Sequence, residues 1–189
     1  MSKDKLNPRQ REAVDYTGGP LLVLAGAGSG KTRVLTAKIA DIIEKGYAEP
    51  WEILAMTFTN KAAQEMRERV ESILPGRGIR VKLGTFHSVC AWILRREAHY
   101  LGYNENFTIY DADDQKTLIR RLLKGIISST KITPGLVKGY ISRNKNNGIS
   151  SEEAMEQASS QSEIDLAKVY FEYQERLKSS GAFDFDDLL

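Results

Sequence analysis

The chain has 189 residues, 41% apolar and 28% charged, the balance of a soluble globular protein rather than a disordered tail. Its longest aliphatic run, Leu21 to Leu24 followed by Ala25, falls far short of the roughly 20 apolar residues that span a bilayer, and Met1 to Lys5 leads into no apolar signal segment. The single cysteine, Cys90, excludes an internal disulfide and a thiolate zinc cluster, and these absences together point to the cytoplasm.

The first half alternates strand and helix. Leu21 to Ala25 reads as a short buried strand, and Lys31 to Lys45 as a helix stopped by Gly46. Ile53 to Phe58 is a second strand, and Asn60 to Leu74 a helix ended by Pro75-Gly76. Ile79, Val81 and Leu83 alternate with Arg80 and Lys82 as a third strand. A helix then opens at Thr85 or His87 and runs to about Leu101. Strand and helix in this order predict a parallel sheet with helices on both faces, incomplete within this length.

The texture changes near Asn104 to Asp111. After the segment Phe107 to Tyr110 the chain reads as all helical. Asp111 with Asp114 starts one helix, Thr133-Pro134 another, and Ser150 with Glu153 forms a capping-box pattern. Ser162 opens a long helix carrying Ile164, Ala167, Tyr170, Phe171 and Leu177, and Asp184 with Asp187 signals one more helix start at the very end. The division expected is an α/β domain over 1–108 and a helical subdomain over 109–189.

The net charge of +2 is unevenly spread. Residues 1–100 carry 16 basic and 11 acidic side chains; residues 101–189 carry 11 and 14. Yet Gln115 to Ser151 holds no Asp or Glu, while Lys116, Arg120, Arg121, Lys124, Lys131, Lys138, Arg143 and Lys145 fall within it. Such a run is either a polyanion footprint or a solvated helix face, and on charge alone the solvated face is the simpler reading.

Ala25-Gly26-Ala27-Gly28-Ser29-Gly30-Lys31-Thr32 is the strongest chemical signal. It follows an aliphatic strand and enters a helix, the setting of a phosphate-binding loop. Glycines let several backbone N–H groups converge beside a helix N-terminus. Lys31 is placed to reach the β- and γ-phosphates and Thr32 to put its hydroxyl on Mg²⁺. Only the first position departs from the strict pattern, with Ala25 in place of Gly. The loop specifies a nucleoside triphosphate but no reaction class.

Two more segments end parallel strands at what would be the same sheet edge. Thr57 to Ala63 offers Thr59, Asn60 and Lys61, a hydroxyl, an amide and a cation suited to a sugar–phosphate backbone. Gly84 to Ser88 offers Thr85, Phe86 and His87, with an aromatic ring able to stack on a base. Each set also has an ordinary structural reading: Thr and Asn cap helices, and Phe fills cores.

In this order and spelling the motifs resemble the N-terminal part of superfamily 1 DNA helicases of the UvrD/PcrA/Rep type. Leu6 to Val14 is similar to the family's adenine-reading segment, with Gln10 as the reader, and Arg33 follows the phosphate loop as is usual there. The resemblance implies a partial RecA-like P-loop domain 1A and a 1B-like subdomain, together covering essentially the whole chain. It implies ATP and Mg²⁺ as cofactors, single-stranded DNA and single/double-strand junctions as partners, and 3′-to-5′ translocation by alternate gripping as ATP opens and closes a cleft. It also implies a DNA role for some of Lys138, Arg143 and Lys145. The family's Asp-Glu motif is absent; Phe107 to Asp111 is followed by Ala112, and Asp111 reads better as a helix cap. The second motor domain and its arginine fingers are absent as well. The expectation is therefore a truncation that binds nucleotide weakly, hydrolyses it negligibly and self-associates through uncovered sheet.

Other candidates have plainer readings. His87 and His99 are too few for a metal site, Cys90 reads as core filler, Trp51 and Trp92 as packing residues, and Asp113-Asp114 and Asp186-Asp187 as helix caps. Two alternative functions stand beside the helicase reading. A small-molecule or nucleotide kinase would leave Thr57 to Ala63 unexplained. A non-catalytic nucleic-acid-binding module would bind single strands without any nucleotide effect.

Overall fold

The computed structural model describes residues 6–126 and 132–189, and the side chain of Ile126 is left aside; Met1 to Lys5 and Lys131 of the basic run lie outside the described residues. The chain packs as two compact units, Met1–Val89 and Cys90–Leu189. The division falls inside a helix, ahead of the texture change at Asn104 to Asp111. None of the described helices is long and apolar enough to cross a membrane.

In the first unit, α1 (Pro8–Asp15) starts at a reciprocal cap. Asn7 Oδ1 accepts from Gln10 N at 2.9 Å and Gln10 Oε1 accepts from Asn7 N at 3.0 Å, with Pro8 at the first helical position. Lys38 of α2 (Lys31–Glu44) donates its Nζ to the carbonyls of Val14 and Tyr16, which ties the end of α1 to α2. β1 (Leu54–Thr57), α3 (Asn60–Ile73) and β2 (Lys82–Thr85) form a parallel crossover, with Leu54 opposite Lys82 and Thr57 opposite Thr85. Ile39 and Ile43 of α2, Met66 and Val70 of α3, and Ala55 and Leu83 of the strands share one buried cluster. Val70 is fully buried; a side chain of its size stabilises by roughly 1.5–3 kcal/mol on leaving water.

The expected three-stranded start is not formed. Leu21 to Ala25 makes no strand, and Leu22 and Leu24 are 81% and 86% exposed. A strand draws its stability from a ladder and from cover on its faces, and this segment has neither among the described residues: the sheet of β1 and β2 does not include it and its side chains are exposed. The third strand also moves. Residues Gly78–Arg80 form a 3₁₀ turn and β2 begins at Lys82. Gly78 N still donates to Leu74 O at 2.8 Å, and Gly76 N donates to Glu71 Oε1 at 2.6 Å, so the chain is closing α3 where the alternation predicted extension. Val81 and Leu83 are buried as predicted, whereas Ile79 is exposed.

The second unit continues α4 (Phe86–Glu97) and contains β3 (Thr108–Tyr110), α5 (Ala112–Ile126), α6 (Pro134–Asn146), α7 (Ser151–Gln157), α8 (Gln161–Ser179) and β4 (Ala182–Asp184). It is not all helical: β4 pairs in parallel with β3, Ile109 opposite Phe183. A three-residue strand carries too little alternation to be read, and the Asp184/Asp187 signal pointed to a helix. That signal is real but yields one 3₁₀ turn, Asp186–Leu188, in which Asp184 N donates to Asp187 Oδ2 and Asp187 N to Asp184 Oδ1, each at 3.0 Å. Val137 and Ile141 of α6 pack with Ala167, Val169, Tyr170, Tyr173 and Leu177 of α8 in the main core. A second cluster joins Ala98, Phe107, Phe183 and Leu188, and half-buried Cys90 packs against it as filler. Trp51 and Trp92 are exposed rather than packed; the Arg96 guanidinium lies 5.2 Å from the Trp92 ring centroid.

Local caps decide where these helices begin. Asp111 Oδ1 accepts from Asp113 N and Asp114 N, Thr133 Oγ1 from Leu136 N, and Ser150 Oγ from Glu153 N. α8 is capped by Ser160 and not Ser162, because Ser160 has Glu163 three residues on and so completes a capping box. The backbone N–H groups of Ser160 and Ser159, then their hydroxyls, hold the Glu163 carboxyl down from 4.5 to about 2. Its stabilising effect is therefore present above pH 4.5 and lost as the pH falls through about 2. Glu163→Gln is expected to flatten the acid limb of thermal stability over that interval, as read by circular dichroism.

Lys145, a candidate DNA contact from the sequence, is instead 5% exposed and locked in place. Its Nζ lies 2.8 Å from Asp184 Oδ2 and 2.7 Å from Asp187 Oδ1. Tyr173 donates its hydroxyl to the same Asp184 oxygen at 2.9 Å. Of the three basic candidates, Lys138 and Arg143 remain exposed.

Candidate nucleotide site and nucleic-acid turns

The segment Gly26 to Gly30 bends because two of its residues take left-handed backbone angles, Gly28 with φ +75° and Gly30 with φ +85°. A side chain at either would be strained. A Cβ at Gly30 would also come within 2.7 Å of Gln10 Nε2. Ser29 closes the bend, its Oγ donating to Gly26 O at 2.7 Å. The bend delivers the chain into α2, whose N-terminus is at Gly30 with no side chain capping it. The first-turn N–H groups of α2 are thus left to a ligand or solvent, the arrangement that favours an anion. Lys31 Nζ donates to Ala25 O at 2.8 Å and Gly26 O at 2.7 Å, so the loop's own carbonyls hold the ammonium, and among the described residues no carboxylate pairs with it.

A cleft of about 390 Å³ opens here, lined by Gln10, Gly28, Ser29, Gly30, Lys31, Thr32, Arg33 and Arg69. Three of these are cations and none is acidic. Gln10 donates Nε2 to Ser29 O at 2.9 Å while its Oε1 caps α1, so it fixes the loop to the preceding helix.

The second arrangement follows from strand register. Thr57 and Thr85 are partners at the carboxyl ends of β1 and β2, so the residues that follow emerge side by side. Phe58 is 90% exposed, and its ring lies 5.3 Å from that of Phe86 at 46°. Thr59 caps α3, its Oγ1 accepting from Ala62 N at 3.1 Å, and Asn60 and Lys61 are exposed beyond it. Thr85 Oγ1 accepts from Ser88 N at 3.2 Å; His87 is half-buried. The exposed Phe58 ring, set against half-buried Phe86 and followed by exposed Lys61, can stack on unpaired bases and meet their phosphates.

A family model described as the UvrD/REP helicase N-terminal domain matches residues 6–189. The chain belongs to this family. The UvrD/REP chain is 47% identical over 185 residues to a protein named ATP-dependent DNA helicase PcrA from Bacillus subtilis (strain 168), covering 97% of the chain and 25% of that protein. It is 46% identical to the protein of the same name from Staphylococcus epidermidis (strain ATCC 35984) and 45% identical to that from Staphylococcus aureus (strain Mu50), with the same coverage. The chain thus spans about a quarter of the length of these relatives.

Within the UvrD/REP fold, Gln10, Gly28, Ser29, Gly30, Lys31, Thr32 and Arg33 gather in one cleft, and Ala25 and Gly26 border it through the carbonyls that hold Lys31. Ala27 lies in the turn without lining the cleft. Thr59, Asn60, Lys61, Thr85, Phe86 and His87 do not line it; they belong to the neighbouring pair of turns. Two residues were missed from sequence. Arg69 carries no motif, and only the packing of α3 beside α2 brings it to the cleft. Phe58, which the apolar run assigns to the strand, stands one residue beyond its end, and that position is its signal.

Proposed function

We propose that this chain is the ATP- and single-stranded-DNA-binding N-terminal part of an ATP-dependent DNA helicase that translocates 3′ to 5′. The observation that carries the reading is the bend at Gly28 and Gly30, which presents an uncapped helix N-terminus and Lys31 to one cationic cleft. A triphosphate fits such donors. In this reading Lys31 binds the terminal phosphates, Gln10 reads the base from the far side of the loop, and Arg33 and Arg69 balance charge at the rim. The half-buried Thr32 hydroxyl, in the first turn of α2, would be a ligand to Mg²⁺, which would offset the phosphate charge.

Because that lining holds no carboxylate, no side chain in it can take a proton from an attacking water. The chain alone is therefore a binding element with negligible hydrolysis. An arginine supplied from elsewhere contributes roughly 10³–10⁵ in rate in enzymes of this chemistry. Single-stranded DNA lies across Phe58 and Phe86, with Thr59 to Lys61 and Thr85 to His87 at its backbone, and single/double-strand junctions are partners along with single strands. The exposed apolar segment Leu21 to Leu24 supports self-association of the chain.

Phe58→Ala tests the DNA side cleanly, because a side chain this exposed contributes little to stability. Loss of one stacking platform is expected to weaken oligo-dT binding by about 1–3 kcal/mol with no change in melting temperature. Unchanged affinity in a fluorescence anisotropy titration would contradict the proposed DNA path.

A further inference from the structure

We infer that the second unit carries its own contact for single-stranded nucleic acid, in the cleft between α5 and α8. This cleft of about 600 Å³ falls within the roughly 300–1,000 Å³ of small-ligand sites. Its apolar wall is Tyr110, Leu118 and Leu122, all buried or half-buried, and Arg121 and Arg176 stand exposed at its rim from the two helices. Among the described residues neither arginine is ion-paired with a carboxylate. Glu172 is the only acid in the lining, so the cleft keeps a positive balance.

The basic run is thereby divided by the fold. Lys145 is consumed in a buried ion network, whereas Arg121 faces a cleft with an aromatic wall. A ring and aliphatic side chains beneath two guanidinium groups suit an unstacked base with a phosphate on either side. Paired bases in a duplex have their faces covered by neighbours and could not use that wall. The occupant is therefore a single strand. This contact is independent of the Phe58 and Phe86 turns.

The test uses the full chain and fluorescein-labelled oligo-dT. Arg121→Ala with Arg176→Ala is expected to weaken binding about 10-fold and to reduce the log–log salt slope by about 1.4, the value for two single-strand phosphate contacts. Gly125→Phe fills the cleft with every charge kept, since a Cβ there meets nothing within 4 Å, and is expected to reproduce the loss. In the wild-type chain, photo-crosslinking with 5-iodo-deoxyuridine is expected to label the peptide containing Tyr110, a readout that needs no variant to fold. Wild-type binding by both variants, or crosslinks confined to the first unit, would overturn the inference. So would an equal loss for duplex DNA and for polyglutamate, which would mark diffuse surface charge. If Phe58→Ala alone weakens binding, this cleft fails and the DNA path of the first unit stands. If the arginine pair alone does, the reverse holds.

Discussion

Lys145→Ala is expected to destabilise the second unit by about 3–5 kcal/mol, the usual loss when one member of a buried ion pair is removed. Asp184 is 1% exposed and Lys145 5%, so solvent cannot replace the lost cation. Burial pushes the Asp184 carboxyl up, but the Lys145 charge, the backbone N–H of Asp187 and the Tyr173 hydroxyl outweigh it and hold it below its ordinary 3.8. The stability it brings is present above that value and lost as the pH falls through the depressed one. At Asp187, burial and the Asp184 charge win over Lys145 and raise the carboxyl, so its contribution is greatest at low pH and fades as the pH rises through the raised value. In Lys145→Ala both carboxylates face each other without a cation. The deficit is therefore widest near neutral pH and narrows in acid, where one carboxyl takes up a proton. For a unit of about 100 residues each kcal/mol moves the melting temperature by roughly 4–8 °C, so paired melts at pH 7 and pH 4.5 resolve the effect. Equal melting temperatures for the two chains at pH 7 would contradict the network.

Lys31→Ala is expected to weaken ATP binding roughly 10- to 150-fold, the value of a charge-assisted hydrogen bond of about 1.5–3 kcal/mol. The ammonium now donates to the carbonyls of Ala25 and Gly26, so it already sits at the mouth of the bend. In the proposed reading it exchanges those carbonyls for phosphate oxygens. Because Lys31 is exposed, the fold should lose little, and circular dichroism of the variant should match the wild type.

The features legible in the sequence are local ones. The caps at Asp111 and Ser150 join residues three apart and start their helices as read, and α3 begins at Asn60 as expected, behind Thr59; the cap at Asn7 starts a helix that the sequence reading did not include. Gly28 and Gly30 declare their left-handed angles by being glycine at the turn into α2. Failures come where a neighbour decides. Leu21 to Ala25 has strand composition but no ladder partner among the described residues. Lys145 looked like a free cation because its acids lie 39 and 42 residues away, and no periodicity links them. Arg69 and Phe58 reach their sites only through helix packing and strand register.

Isothermal titration of the wild-type chain with ATP, ADP and AMP in the presence of Mg²⁺ reads the phosphate loop most directly. Affinity falling in the order ATP, ADP, AMP, with the difference between ATP and AMP abolished by Lys31→Ala, is the expected result. Equal affinity for AMP and ATP, or an ATP preference that survives Lys31→Ala, would show that the bend between Gly26 and Thr32 does not grip a triphosphate.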